Sequence, residues 1–410
     1  MMKILLSAFA CEPGQGSEEG VGWNAVVEAA KHQEVWVLTR TFYRASIEAE
    51  LAARPNPNLH FAYIEPFGWS ENFKGRQGGL QLHYYLWQIL AYLEARSLHR
   101  QVNFDIARHV TYVKYWSPSF ISLLPIPFIW GPVGGGEAAP KPFWVDFSSK
   151  AKLYETARNW GQRLGESDPF ARMTAQRCVL AFATTEDTAK RVRAMGAKNV
   201  QVLSEAGLSK AEMARLGECR MPGAAPIRFI SMGRLLHWKG YHLAVRAFAQ
   251  AKLPNAEYWL LGDGPERDRL QSLAEELGVA SQVKLWGRLP REETLDKLGQ
   301  SHVLIHPSLH DSGGWTCLEG MAAGRPIICL DLGGPATQVT PETGVKVPGY
   351  NPQQAVQGLA EAIARLAQDA ELRSRLGQAG KKRLKEVYDW DVKGNFFAEL
   401  YESIVDQKSG

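Results

Sequence analysis

Two basic residues bracket a short turn in Gly233-Arg234-Leu235-Leu236-His237-Trp238-Lys239-Gly240, directly after the apolar run Ile227 to Ser231. A helix starting near Gly240 would aim free N–H groups and the positive end of its dipole at this turn. Arg234 offers a planar fork for phosphate oxygens, and Lys239 adds a compact point charge. Such a pair can hold a diphosphate without a metal; it can equally be a solvated basic turn. Leu261-Gly262-Asp263-Gly264-Pro265 is a strand end followed by a glycine turn and a helix begun by Pro265, and by itself only places that helix. The longest motif runs from Pro307 to Pro326 and holds Asp311-Ser312-Gly313-Gly314-Trp315-Thr316-Cys317-Leu318-Glu319. A loop with a carboxylate leads through two glycines, which admit a ligand close to the backbone, into a helix whose first amides are unsatisfied. Glu319 falls about one turn inside that helix. There its carboxylate can accept both hydroxyls of a ribose, while Asp311 faces a sugar beyond the phosphates.

These loops need strands to hold them. Short apolar runs alternate with amphipathic stretches along the whole chain, the pattern of parallel sheets covered by helices. Strands are predicted at Ile4 to Phe9, Val35 to Leu38, His60 to Ile64, Asp105 to His109, Pro127 to Trp130, Val179 to Ala183 and Val200 to Leu203. A polar stretch with Gly and Pro, Ser209 to Ala225, reads as a linker around a short helix. The alternation then resumes at Ile227 to Ser231, Glu257 to Leu261, Val283 to Trp286, Val303 to Ile305, Pro326 to Cys329 and Val345 to Val347. The predicted organisation is a Rossmann-like domain over 1–208, a linker over 209–225, a second such domain over 226–388 and a terminal helix over 389–410. Doubly wound sheets bind ligands beyond the carboxyl ends of their strands, so a cleft between the two domains is expected.

The totals narrow the function. The chain has 410 residues, enough for two cores, with 45% apolar and 22% charged residues. Its net charge of +4 suits anionic small molecules or an anionic surface, and argues against nucleic acid as a partner. Cys11, Cys178, Cys219, Cys317 and Cys329 match no zinc or redox spacing and read as reduced, buried thiols. The apolar stretch Ile4 to Ala10 is at the lower limit for a signal core and reads better as a buried strand. No run approaches a membrane-spanning helix. A cytoplasmic protein is expected, at most peripheral at the inner face of the membrane. The segment with the best claim to such contact is Leu80 to Arg100, where Leu, Tyr and Trp interleave with His83, Arg96, His99 and Arg100; the same stripe can simply face the core.

Gly-Arg-Leu-x-x-x-Lys-Gly, Gly-Asp-Gly-Pro and the Pro307 to Pro326 motif resemble, in order and spacing, the GT-B glycosyltransferases of family 4, the retaining glycogen-synthase-like group. The resemblance covers essentially the whole chain. It implies an α/β, GT-B fold: two Rossmann-like doubly wound domains facing across a cleft, with the C-terminal helix crossing back to the N-terminal domain. It implies retaining transfer from a nucleotide diphosphate sugar, a co-substrate, with no cofactor and no metal. Arg234 and Lys239 would neutralise the leaving diphosphate. Glu319 would hold the ribose, Ser312, Gly313, Gly314, Trp315 and Thr316 would present amides to sugar and phosphate, and Arg288 would pass the base. The family carries Glu where this chain has Asp311, one methylene shorter. The acceptor implied is a glycan or lipid-linked molecule, as in surface polysaccharide synthesis.

In the N-terminal half the family places a glycine-rich loop near the donor phosphate, here Gly14 to Trp23 with Gly16 and Ser17. Its spacing is not the dinucleotide fingerprint, and Thr39-Arg40 lacks the acidic ribose ligand, which excludes a dehydrogenase. His109 matches the histidine that faces the reacting sugar. In Trp130 to Glu137 the glycines permit close approach, with Gly135 and Glu137 as acceptor-binding candidates. Two alternatives stand beside transfer: a non-catalytic nucleotide-sugar-binding regulatory protein, and an epimerase or hydrolase on the same fold, for which no second pair of carboxylates is evident.

Overall fold

The computed structural model describes residues 1–66, 80–223 and 226–409. Two compact units emerge, and the chain threads them out of order: Met1–Gly136, Trp160–Glu205 and Trp390–Gly410 form the first, Glu137–Asn159 and Ala206–Asp389 the second.

The first unit holds seven parallel strands: β1 (Lys3–Ala8), β2 (Glu34–Arg40), β3 (Leu59–Ile64), β4 (Ile106–Thr111), β5 (Phe128–Val133), β6 (Leu180–Ala183) and β7 (Val200–Val202), in the order β3-β2-β1-β4-β5-β6-β7. The second holds six: β8 (Ile227–Met232), β9 (Ala256–Leu261), β10 (Val283–Gly287), β11 (Val303–His306), β12 (Ile327–Leu330) and β13 (Gly344–Val347), in the order β10-β9-β8-β11-β12-β13. Each predicted strand is present with its bounds shifted by at most three residues, the largest shift being β5, which runs on to Val133, because near-continuous apolar runs such as Ile4-Leu5-Leu6 bury both faces. Strand order reverses between β1 and β4 and again between β8 and β11. Those switch points open a crevice at the carboxyl ends of the strands.

In the second unit one core cluster packs Phe229, Tyr258 and Ile305 against Leu243, Phe248, Leu359 and Ile363. Phe143, Phe147 and Ala151 join it, which is why 137–159 belongs to this unit although the first sheet resumes afterwards. The other face packs Ile230, Trp259 and Leu304 against Leu318, Met321 and Leu384. The helix Lys210–Gly217 within the expected linker starts with a capping box between Ser209 and Glu212; Ala224 and Ala225 lie outside the described residues. The helices Ser149–Glu166 and Pro169–Arg177 have no counterpart in the sequence reading.

In the first unit the helix Leu80–Val102 buries Tyr84, Trp87, Ala91 and Ala95, while Leu82, Ile89 and Leu93 stay exposed. The terminal helix Trp390–Ser409 packs on the helix Ser17–Ala29. Among the described residues no helix is long and apolar enough to cross a membrane.

Candidate functional site

The second unit gathers most candidates at its β8/β11 switch point. β8 ends at Met232, and the turn that follows carries Arg234 exposed and Lys239 half-buried. Gly240 adopts a left-handed φ of 69° as the start of the helix Tyr241–Ala251. A side chain there would run into the Pro307 carbonyl, so this turn lies directly on the loop after β11. Leu309 N–H donates to Trp238 O at 2.8 Å across the same junction.

Beyond β11 the loop brings Asp311 to Lys239, with Nζ and Oδ2 2.6 Å apart. His306 Nε2 is 3.0 Å from the same oxygen. Burial would raise the Asp311 carboxyl, but the Lys239 charge and the His306 hydrogen bond hold it well below the usual carboxylate range. The helix Trp315–Ala322 starts at Gly314, with φ of 56° and no side-chain cap. A Cβ at Gly314 would meet the Gln338 amide, whose Nε2 donates to Gly313 O at 2.5 Å. Ser312 Oγ donates to Glu137 Oε2 at 2.6 Å, and Glu137 itself is buried.

A pocket of about 780 Å³ opens beside this loop at the carboxyl ends of β8, β9 and β10. Arg234, Arg288, Thr316 and Glu319 line it together with the Gly262-Asp263-Gly264 turn. Glu319 is buried, and its Oε1 accepts from Arg291 Nη1 at 2.5 Å. Burial raises its carboxyl above the ordinary value despite Arg291. A carboxylate on such a wall, with cations at the rim, is equipped to take the hydroxyls and phosphates of a nucleoside diphosphate.

The first unit presents the remaining candidates at its own switch point. Gly16 and Ser17 are exposed at the start of the helix Ser17–Ala29, and Ser17 holds a positive φ of 58°. The next residue, Glu18, accepts from the Tyr112 and Val113 amides at 2.6 and 2.8 Å, which fastens this loop to the chain leaving β4. His109, near the end of β4, is buried; its Nε2 lies 3.1 Å from Tyr112 O and its Nδ1 has no hydrogen-bond partner among the described residues. Burial pushes its imidazole down to about 4, so it is neutral at pH 7. Gly135, with φ of 90°, lies against Trp116, 2.8 Å from where a Cβ would sit.

Residues 224–383 match the family model described as glycosyl transferases group 1. That stretch contains Arg234, Lys239, Arg288, Asp311, the Ser312 to Thr316 loop and Glu319. The chain is 33% identical over 222 residues to the lipopolysaccharide core biosynthesis glycosyltransferase LpsE of Rhizobium meliloti, covering 53% of this chain and 63% of LpsE. It therefore spans less than two thirds of that relative. Among solved structures, sucrose-phosphate synthase from Thermosynechococcus elongatus superposes with a TM-score of 0.66 at 18% identity, over 99% of this chain and 100% of that one. Anabaena HepE, in complex with UDP and glucose, gives 0.59 at 18% identity, over 98% and 100%. The fold is thus GT-B in class, built from two Rossmann-like parallel-sheet units.

Sequence reasoning missed Arg291, His306 and Glu18. Arg291 had a signal, since it opens a helix behind Pro290 and a first-turn side chain there projects toward the β10 end. His306 closes β11 as an apparent core residue, and Glu18 differs from its neighbour Glu19 only through a contact more than ninety positions away.

Proposed function

We propose that this chain is a retaining, metal-independent glycosyltransferase that moves a sugar from a nucleotide diphosphate sugar to a glycan or lipid-linked acceptor in surface polysaccharide or glycoconjugate synthesis. The observation that carries the reading is the Glu319 pocket with its rim of Arg234 and Arg288, inside the stretch that matches the family. The name of LpsE supports the acceptor class, and the UDP of HepE supports a nucleoside diphosphate donor.

In this mechanism Glu319 holds the ribose and Arg288 flanks the base. Arg234 and Lys239 stabilise the negative charge that grows on the diphosphate as the glycosidic C–O bond breaks. The acceptor hydroxyl attacks the face the diphosphate leaves, and its proton passes to a donor phosphate oxygen, so no separate base is required. Asp311, ion-paired to Lys239, addresses the donor sugar hydroxyls at shorter reach than the family's glutamate, and His109 meets the reacting sugar as a neutral imidazole. Exposed Leu82, Ile89 and Leu93, with Arg96 and Arg100 farther along the helix, suit peripheral contact with an anionic membrane, which co-sedimentation with phosphatidylglycerol vesicles tests.

The deciding experiment is a thermal-shift panel of UDP, GDP, ADP and TDP sugars with the free nucleotides, because a ligand specific to the folded state must raise the melting temperature. One nucleotide standing out fixes the donor class, and turnover in EDTA then separates a metal-free enzyme from a binding protein. Failure of every nucleotide at millimolar concentration would overturn the proposal.

A further inference from the structure

One buried carboxylate joins both loops of the β8/β11 switch point. Glu155, on the part of the helix Ser149–Glu166 that belongs to the second unit, has a fully buried side chain. Its Oε1 accepts from His237 Nε2 at 2.9 Å and from His310 Nε2 at 3.1 Å. His237 stands two residues before Lys239, and His310 directly precedes Asp311.

The rings around this point are stacked in one column. Trp238 lies between Tyr154, with ring centroids 5.1 Å apart and planes 7° off parallel, and His310, at 5.2 Å and 15°. His237 meets Trp238 edge-on at 4.7 Å. Both histidines are therefore fixed in rotation as well as in distance. Burial would raise the Glu155 carboxyl, yet the His237 and His310 hydrogen bonds bring it down to about 2.

A stability role explains this arrangement poorly. Glu155 Oε2 is buried without a hydrogen-bond partner among the described residues, and an ionised, half-satisfied carboxylate is an expensive way to fill a core. A hydrophobic side chain would hold the helix at less cost, but would leave two imidazole N–H groups on two separate loops unpaired.

Resting on the function proposed above, we infer that Glu155 is a positioning residue for donor binding: by accepting from His237 and His310 at once, it sets the Arg234–Lys239 turn and the Asp311–Thr316 loop at the separation a nucleoside diphosphate requires. It touches no substrate and acts through the two histidines.

The test uses the full chain and the nucleoside diphosphate that most stabilises the wild type in a panel of UDP, GDP, ADP and TDP. Glu155→Gln keeps the shape but replaces the anionic acceptor of both bonds with a neutral amide oxygen, which holds each imidazole N–H more weakly. It should melt within a few degrees of wild type, bind the nucleotide about tenfold or more weakly, and move the imidazole N–H resonances of both His237 and His310 in proton NMR. A KM rise for donor without one for acceptor should accompany the loss. Nucleotide affinity within about twofold of wild type, or unchanged imidazole resonances, would overturn the inference. If Glu155→Gln does not fold, His237→Gln, His310→Gln and the double variant decide: a shared anchor makes the double little worse than either single, and full additivity refutes it. Wild-type protein that binds none of the four nucleotides would instead overturn the reading of the site itself.

Discussion

Replacing Lys239 with alanine should damage stability and turnover separately, and a second substitution should pull the two apart. The Lys239 ammonium is 2.6 Å from Asp311, with side chains 20% and 19% exposed. At an effective dielectric constant of ~20 the gross attraction at that distance is about 6 kcal/mol, most of which offsets desolvation. Removing one partner of a buried pair costs about 3–5 kcal/mol. Partial exposure and the remaining His306 contact reduce that to about 2 kcal/mol here. For a unit of about 200 residues this lowers the melting temperature by about 4–8 °C. Lys239→Ala/Asp311→Asn, which leaves no orphaned charge, should recover most of the loss. Turnover should behave differently, falling about 100- to 1,000-fold in Lys239→Ala and staying low in the double variant, because in the proposed mechanism the leaving diphosphate would still lack its cation. The folded Asp311 carboxyl is held below its unfolded value, so its contribution is complete above about pH 4 and is lost only as pH falls further. Urea unfolding at pH 7 and pH 3.5, beside initial rates at saturating donor, measures each part. A double variant no more stable than Lys239→Ala would refute the ion-pair reasoning. Restored turnover in that double would refute the assignment of Lys239 to the leaving group.

Glu319→Gln should weaken nucleotide binding by about 1–3 kcal/mol in calorimetry, while leaving stability at pH 7 equal to or above wild type. The folded pKa of Glu319 is raised, so its ionisation subtracts stability as pH rises past the ordinary carboxylate value, and the amide removes that penalty. His109→Gln should flatten the acid limb of the stability curve between about pH 6.5 and pH 4, since an imidazole titrating near 4 when folded loses about 3 kcal/mol across that window; an unchanged acid limb would contradict its burial as a neutral base. Gly240→Ala should cost about 2 kcal/mol or more in chemical denaturation and raise the donor KM, because the left-handed backbone and the Pro307 carbonyl both resist a Cβ.

Strands and their tight loops were legible because each is specified locally. Ile227 to Ser231 buries both faces and can only be a central strand, and the glycines at 240 and 314 mark turns with positive φ. Glu319 was legible for the same reason, since a helix start and a fixed spacing put it inside the first turns. What stayed hidden depends on partners far apart in the chain. Lys239 carries the same signal whether its charge faces solvent or Asp311, so its structural share could not be read. Glu155 lies 82 positions from His237 and 155 from His310, in a helix whose polar face looks solvated in isolation. Helices such as Ser149–Glu166, with exposed Leu153, Trp160 and Leu164, break the apolar-inside pattern on which periodicity relies.

The out-of-order threading of the two units bears on how such chains can be recombined. Exchange at a single junction near residue 206 would import the strands, the Lys239 turn and the Asp311 loop from one parent, while Glu155 and the residues flanking it stayed with the other. A chimaera made this way inherits the Lys239 turn and the Asp311 loop without the carboxylate that hydrogen-bonds His237 and His310. Grafts of the second unit should therefore carry 137–159 along with 206–389. Across diverging relatives, the identity of residue 155 should then follow that of residues 237 and 310 more closely than that of its own sequence neighbours.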